Sequence, residues 1–113
     1  MRKLSAVFYK TESGKEPVRE WLKKRLGRPD SMLIGMDIKT VQYGWPVGMP
    51  LSRPLGKGLY EIRTALSNNR IARVIFCVDD DVMFLLHGFI KKTQATPSKD
   101  IELALERKRK LEV

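Results

Sequence analysis

The chain has one cysteine, Cys77, and one histidine, His87, among its 113 residues. A lone cysteine cannot close an internal disulfide and excludes a zinc site built on several thiolates, and a lone histidine excludes a histidine-rich cluster. Cys77 sits in an apolar strand, where a buried, inert thiol is the expected state. There is no glycine-rich phosphate loop, and a serine or cysteine triad would have only His87 as its base. No apolar run is long enough to span a membrane. The first ten residues, MRKLSAVFYK, are charged but lack the sustained apolar core of a signal peptide. Acidic residues are also scarce: 13 Asp and Glu stand against 22 Lys and Arg, a formal net charge of +9. That excess favours a polyanionic partner, whether RNA, DNA, a ribosome surface or an acidic protein, without choosing among them. Repeats and low-complexity tracts are absent. What remains is a chain with 42% hydrophobic residues, sufficient for a real core. The expectation is a single domain over residues 1–113, soluble and cytoplasmic, with no cofactor and no membrane association.

Lys3 to Tyr9 is rich in strand formers and reads as a first strand. Val18, Trp21, Leu22 and Leu26 recur at helical spacing, with Pro17 in the first turn and Gly27-Arg28-Pro29 as the stop. Asp30 reads as the N-cap of a second helix with Ile34, Ile38 and Val41 as its buried stripe and Gly44 as its end. Trp45 to Gly58 carries Pro46, Pro50 and Pro54 with Gly48, Gly56 and Gly58, and reads as irregular connecting chain. Three strands follow. Thr96 then reads as an N-cap and Pro97 as the first position of a last helix, which buries Ile101, Ala104 and Leu105. The order is β-α-α-β-β-β-α, an α+β fold with helices packed on a mainly antiparallel sheet.

The three strands carry the most chemistry. Ser67-Asn68-Asn69 and Asp79-Asp80-Asp81 are turn signals. If each centres an antiparallel hairpin, Arg63 lies opposite Arg73, and Arg73 opposite His87. Directly opposed residues share a face, so the three would form a row roughly 10 Å long across the sheet. A one-residue slip in either hairpin would scatter it. The same pattern puts Arg73, Ile75 and Cys77 on one face of their strand, and Met83, Leu85, His87, Phe89 and Lys91 on one face of the next.

Two fixed cations beside an imidazole suit a phosphodiester. Arginine makes paired hydrogen bonds to phosphate and keeps its charge, so Arg63 and Arg73 suit binding and charge stabilisation and not proton transfer. A mid-strand arginine has a second explanation, an ion pair with Glu61 on the same face. One arginine can serve both, with Glu61 orienting it. Neighbouring cations would hold His87 neutral, as a general base requires; a satisfied structural histidine is the alternative. Phe89 reads as core or as a stacking platform for a base. Lys91 and Lys92 read as solvated surface or as contacts to flanking phosphates, with Lys91 able to supply a proton. Arg107-Lys108-Arg109-Lys110 complements the dipole of the last helix. The three consecutive aspartates read as turn residues, not as convergent metal ligands.

The runs GLYEIR (58–63), RVIF (73–76) and HGFIKKT (87–93), followed by Thr96-Pro97, resemble the HigB-type, phage-derived branch of the RelE/ParE toxin superfamily. The resemblance covers nearly the whole chain. It implies a RelE-like toxin of a type II toxin–antitoxin system that cleaves mRNA in the ribosomal A site without a metal, the RNA 2′-hydroxyl attacking the adjacent phosphate. It also implies a small helix-turn-helix antitoxin as partner, with operator DNA bound only through the toxin–antitoxin complex. Arg73 matches the phosphate-stabilising arginine of ribosome-dependent members, Arg63 a basic strand position, and Lys91 and Lys92 the basic residues after the last strand. Where some members place a tyrosine or several lysines for proton transfer, this chain offers His87, with Tyr60 on the opposite face. Two other readings of the same chain are a ParE-like gyrase inhibitor and a non-enzymatic basic binding module.

Overall fold

The computed structural model describes residues 3–111. Strand β1 (Ser5–Phe8) leads to helix α1 (Pro17–Glu20), which runs on as a π-helical stretch (Trp21–Arg25). Helix α2 (Arg28–Gly44), strands β2 (Ser52–Gly56), β3 (Leu59–Ala65), β4 (Ile71–Asp79) and β5 (Val82–Lys91), and helix α3 (Ser98–Leu111) follow. The strands form one sheet in the order β1-β5-β4-β3-β2. Strands β2 to β5 are antiparallel neighbours, and β1 joins β5 in parallel. The architecture is α+β, with three helices on a five-stranded mixed sheet.

Strand β2 lies in the stretch expected to be irregular. Its proline and glycine argue against a central strand, but β2 is the sheet edge, where Pro54 gives up no ladder bond that the sheet needs. A register shift between Pro54 and Gly56 accommodates the break. Two helix starts also differ from expectation. Gly27, not Asp30, caps α2, and Pro29 lies within its first turn. The Asp30 carboxylate instead takes two hydrogen bonds from the Arg70 guanidinium, at 2.7 and 3.1 Å. These bonds hold its pKa below the ordinary aspartate value and tie α2 to the β3–β4 turn. At α3 the Pro97 carbonyl receives the amides of Asp100 and Ile101, and the Thr96 hydroxyl is used elsewhere.

The sheet is covered on both faces. Helices α1 and α2 cover one, where Val18, Ile34, Ile38 and Val41 meet Ile62, Val74, Phe76, Met83 and Leu85. Trp45, Tyr60 and Phe76 pack ring to ring there, so Tyr60 faces away from Arg63 and Arg73. Trp21 lies flat on β5 at Gly88; a Cβ at that position would sit 2.4 Å from the indole ring. Helix α3 covers the other face, with Ala104 fully buried over Ile75, Cys77, Leu86 and Phe89.

The two hairpins decide which side chains share the α3 face. Asn68 and Asn69 adopt φ of 60° and 59° in the first, and Arg63 pairs with Arg73 as the sequence spacing requires. In the second, Asp80 and Asp81 (φ 53° and 65°) form a two-residue turn in which Asp79 pairs with Val82. Left-handed values at both positions match the primed turns that suit strand twist. A bulge then intervenes: Phe76 pairs with Leu85 but Ile75 with His87, leaving Leu86 as the extra residue. Arg73 therefore faces Phe89 and not His87. The shorter turn and the bulge each shift the register by one. Together they shift it by two, so His87 stays on the face of Arg73, one pair further along. Met83 and Leu85, before the bulge, lie on the opposite face with Phe76, contrary to the sequence expectation. The Leu86 carbonyl accepts a hydrogen bond from Arg107 Nη1 at 2.7 Å, so this arginine braces the bulge.

Candidate active site

The α3 face carries two adjoining polar groups. The first is built on Glu61, whose side chain is wholly buried. Arg63 Nε donates to Glu61 Oε1 at 2.7 Å, Thr96 Oγ1 donates to Oε2 at 2.5 Å, and Arg53 Nε lies 3.9 Å from Oε1. Arg53 comes from β2, directly opposite Glu61. Arg73, beside them on β4, is also fully buried. Its Nη2 donates to the Thr93 carbonyl, while Nε and Nη1 have no hydrogen-bond partner. Arg63 Nη2 likewise donates to the Gln94 carbonyl. Burial first, and then repulsion from Arg63, lower the pKa of Arg73 from the ordinary arginine value. Segment 93–96 thus supplies carbonyl oxygens to both arginines.

The second group is built on Asp100, in the first turn of α3. Its Oδ1 lies 2.7 Å from His87 Nε2, and its buried Oδ2 lies 4.0 Å from Lys91 Nζ. Burial lowers the pKa of His87 below the ordinary imidazole value, and the Asp100 carboxylate opposes that shift. Phe89 joins the two groups. Its ring stacks on His87 with centroids 5.3 Å apart, and Arg73 Cζ lies 5.8 Å from its centre.

The sequence-derived residues thus separate as follows. Arg63, Arg73 and Glu61 come together, and Glu61 orients Arg63 by direct hydrogen bond. His87 and Lys91 come together on Asp100, with Phe89 in contact with both His87 and Arg73. Phe89 is core between them, 9% exposed, and not an open platform. Lys92 is exposed. Three participants were not legible. An acid in a helix's first turn is ordinarily assigned to the helix dipole, which hides Asp100. Thr96 looks like an N-cap, and Arg53 lies in a stretch without strand periodicity. The pairing of Ser-Arg-Pro-Leu opposite Leu-Tyr-Glu-Ile would have been the signal for Arg53.

Chemically, the face offers fixed guanidinium donors for a phosphate, an imidazole on a carboxylate, and an ammonium sharing that carboxylate. A fold of this kind with such a face is consistent with an α+β toxin. A family model described as "Phage derived protein Gp49-like (DUF891)" matches residues 20–109, and the chain belongs to that family, part of the RelE/HigB-like toxin group. No curated protein matches the chain. Among the described residues, no helix is long and apolar enough to cross a membrane.

Proposed function

We propose that this Gp49-like protein is a HigB-type, RelE-like toxin of a type II toxin–antitoxin system, a ribosome-dependent endoribonuclease that cleaves mRNA in the A site. The observation that carries this reading is Arg73: a buried guanidinium with two unused donors beside a second, carboxylate-aligned arginine. A buried cation with open donors is costly to a structure and useful to an anion. The RNA 2′-hydroxyl attacks the adjacent phosphorus, forming the 2′,3′-cyclic phosphate as the bond to the 5′-oxygen breaks. His87 takes the hydroxyl proton, Lys91 returns one to the 5′-oxygen, and Arg63 and Arg73 bind the charge that builds on the phosphoryl oxygens. Segment 93–96 withdraws as the phosphate replaces its carbonyls. Protein donors oriented in advance supply the rate by position and electrostatics. The +9 charge suits docking on ribosomal RNA, weakening steeply with salt. A helix-turn-helix antitoxin is the partner, operator DNA is reached through that complex, and the site of action is the cytoplasm.

Primer extension on a reporter mRNA in a purified translation system tests this, with and without ribosomes, using wild type and Arg73→Met. Methionine fills the buried volume that alanine would leave empty. Ribosome-dependent cuts that vanish in the variant support the reading. Cuts that persist in Arg73→Met remove Arg73 from the site. Intact message together with inhibited gyrase would replace the reading with a ParE-like one.

A further inference from the structure

One carboxylate stands against both groups assigned to proton transfer. Asp100 is buried at the start of α3, and its two oxygens face different partners: Oδ1 meets His87 Nε2 at 2.7 Å, and Oδ2 lies 4.0 Å from Lys91 Nζ with no hydrogen bond of its own. We propose that Asp100 is the positioning residue of the site, holding His87 in the tautomer protonated on Nε2 and drawing Lys91 to the same edge of the face. This rests on the nuclease reading for its catalytic consequence, but the tautomer stands apart from it.

A neutral imidazole has one N–H and one lone pair. A carboxylate accepts, so Nε2 must carry the hydrogen, and Nδ1 is left with the lone pair that a general base needs. Without Asp100 the tautomers would be set by solvent and by the stacked Phe89 ring, which is indifferent to them. Charged groups acting on the imidazole include Asp100 and Arg107 from α3, while Lys91 on its own strand and Glu61 across Ile75 on β3 share its face. Arg73 pairs with Phe89, whose ring it contacts. Among the described residues, Asp100 is the acid hydrogen-bonded to it. Oδ2 lies within ion-pair reach of Lys91, so a single helix turn stands beside both the base and the acid.

The chain's sole histidine makes the test direct, because every imidazole signal in a nitrogen-15 spectrum belongs to His87. Wild type should show Nε2 protonated and Nδ1 bare in the neutral form. Asp100→Asn, nearly isosteric, can turn its amide N–H toward Nε2 and should move the hydrogen to Nδ1. It should also lower the His87 titration midpoint, since the carboxylate's support for the charged form is gone. The cleavage rate should fall about 100-fold, and adding His87→Ala to Asp100→Asn should cost little more. Asp100→Glu should restore the tautomer at least in part. An unchanged tautomer and midpoint in Asp100→Asn would overturn the proposal, as would full cleavage by that variant where His87→Ala is inactive. If wild type cleaves nothing, the nuclease reading fails, and the spectra still decide whether Asp100 sets the imidazole.

Discussion

Replacing Arg73 by methionine separates a functional arginine from a structural one. The side chain is fully buried, and two of its nitrogens have no partner. Each buried donor left unsatisfied costs about 1–3 kcal/mol. Against this stand one charge-assisted hydrogen bond to the Thr93 carbonyl and a cation–π contact with Phe89, whose ring centre is 5.8 Å away. Such contacts contribute about 1.5–3 and about 0.5–2 kcal/mol. The two sides nearly cancel. Methionine removes both, keeps most of the volume and brings no polar atom that needs a partner. Arg73→Met should therefore lie within about 1.5 kcal/mol of wild type, on either side. Arg73→Ala should lose about 2–5 kcal/mol to the cavity it opens. Urea unfolding followed by tryptophan fluorescence reads both, since Trp21 and Trp45 lie on the opposite face. A loss above about 3 kcal/mol in the methionine variant would show that Arg73 holds the fold through Glu61, and the case for a substrate site would fall.

Three other outcomes follow from the same contacts. Glu61→Gln leaves Arg53, Arg63 and Arg73 without their shared, buried counter-charge and should cost roughly 3 kcal/mol in urea unfolding, partly recovered by millimolar sulfate but not by chloride; an unchanged midpoint would remove Glu61 from that role. Gly88→Ala places a methyl 2.4 Å from the Trp21 ring and should cost about 1–3 kcal/mol with a shift in tryptophan emission, whereas wild-type stability would mean the indole is not seated there. His87 has its pKa lowered by burial, so the unfolded chain takes the proton first as pH falls below about 6.5. Folding stability should then decline on acidification through that range, and His87→Gln should flatten the decline; an identical slope in the variant would contradict the buried, neutral imidazole.

The legible part of this fold was the part governed by periodicity. The stripe Ile34, Ile38 and Val41 and the pairing of Arg63 with Arg73 follow from spacing alone, because helix faces and strand alternation are local. The position of His87 was not local. It depended on whether the aspartate turn spends two residues or three, and on a bulge at Leu86 that Arg107, twenty-one residues later, helps to hold. Two errors of one residue restored the face but moved the imidazole from Arg73 to a place beside Phe89. Strand β2 was hidden by residues that only an edge strand tolerates. Asp100 and segment 93–96 were hidden because what they do depends on side chains brought close by tertiary packing. The chemistry of the face was therefore readable as a set of residue types, and its division into an arginine group and a proton-transfer group was not.

The most direct measurement is the chemistry of the cut ends on mRNA recovered from ribosomes treated with the wild-type protein. Attack by the 2′-hydroxyl leaves a 2′,3′-cyclic phosphate on the upstream fragment and a free 5′-hydroxyl downstream, and both should be absent with Arg73→Met. A 3′-hydroxyl with a 5′-phosphate would mean that water was the nucleophile. No ends above background would mean that this face does not cleave RNA at all.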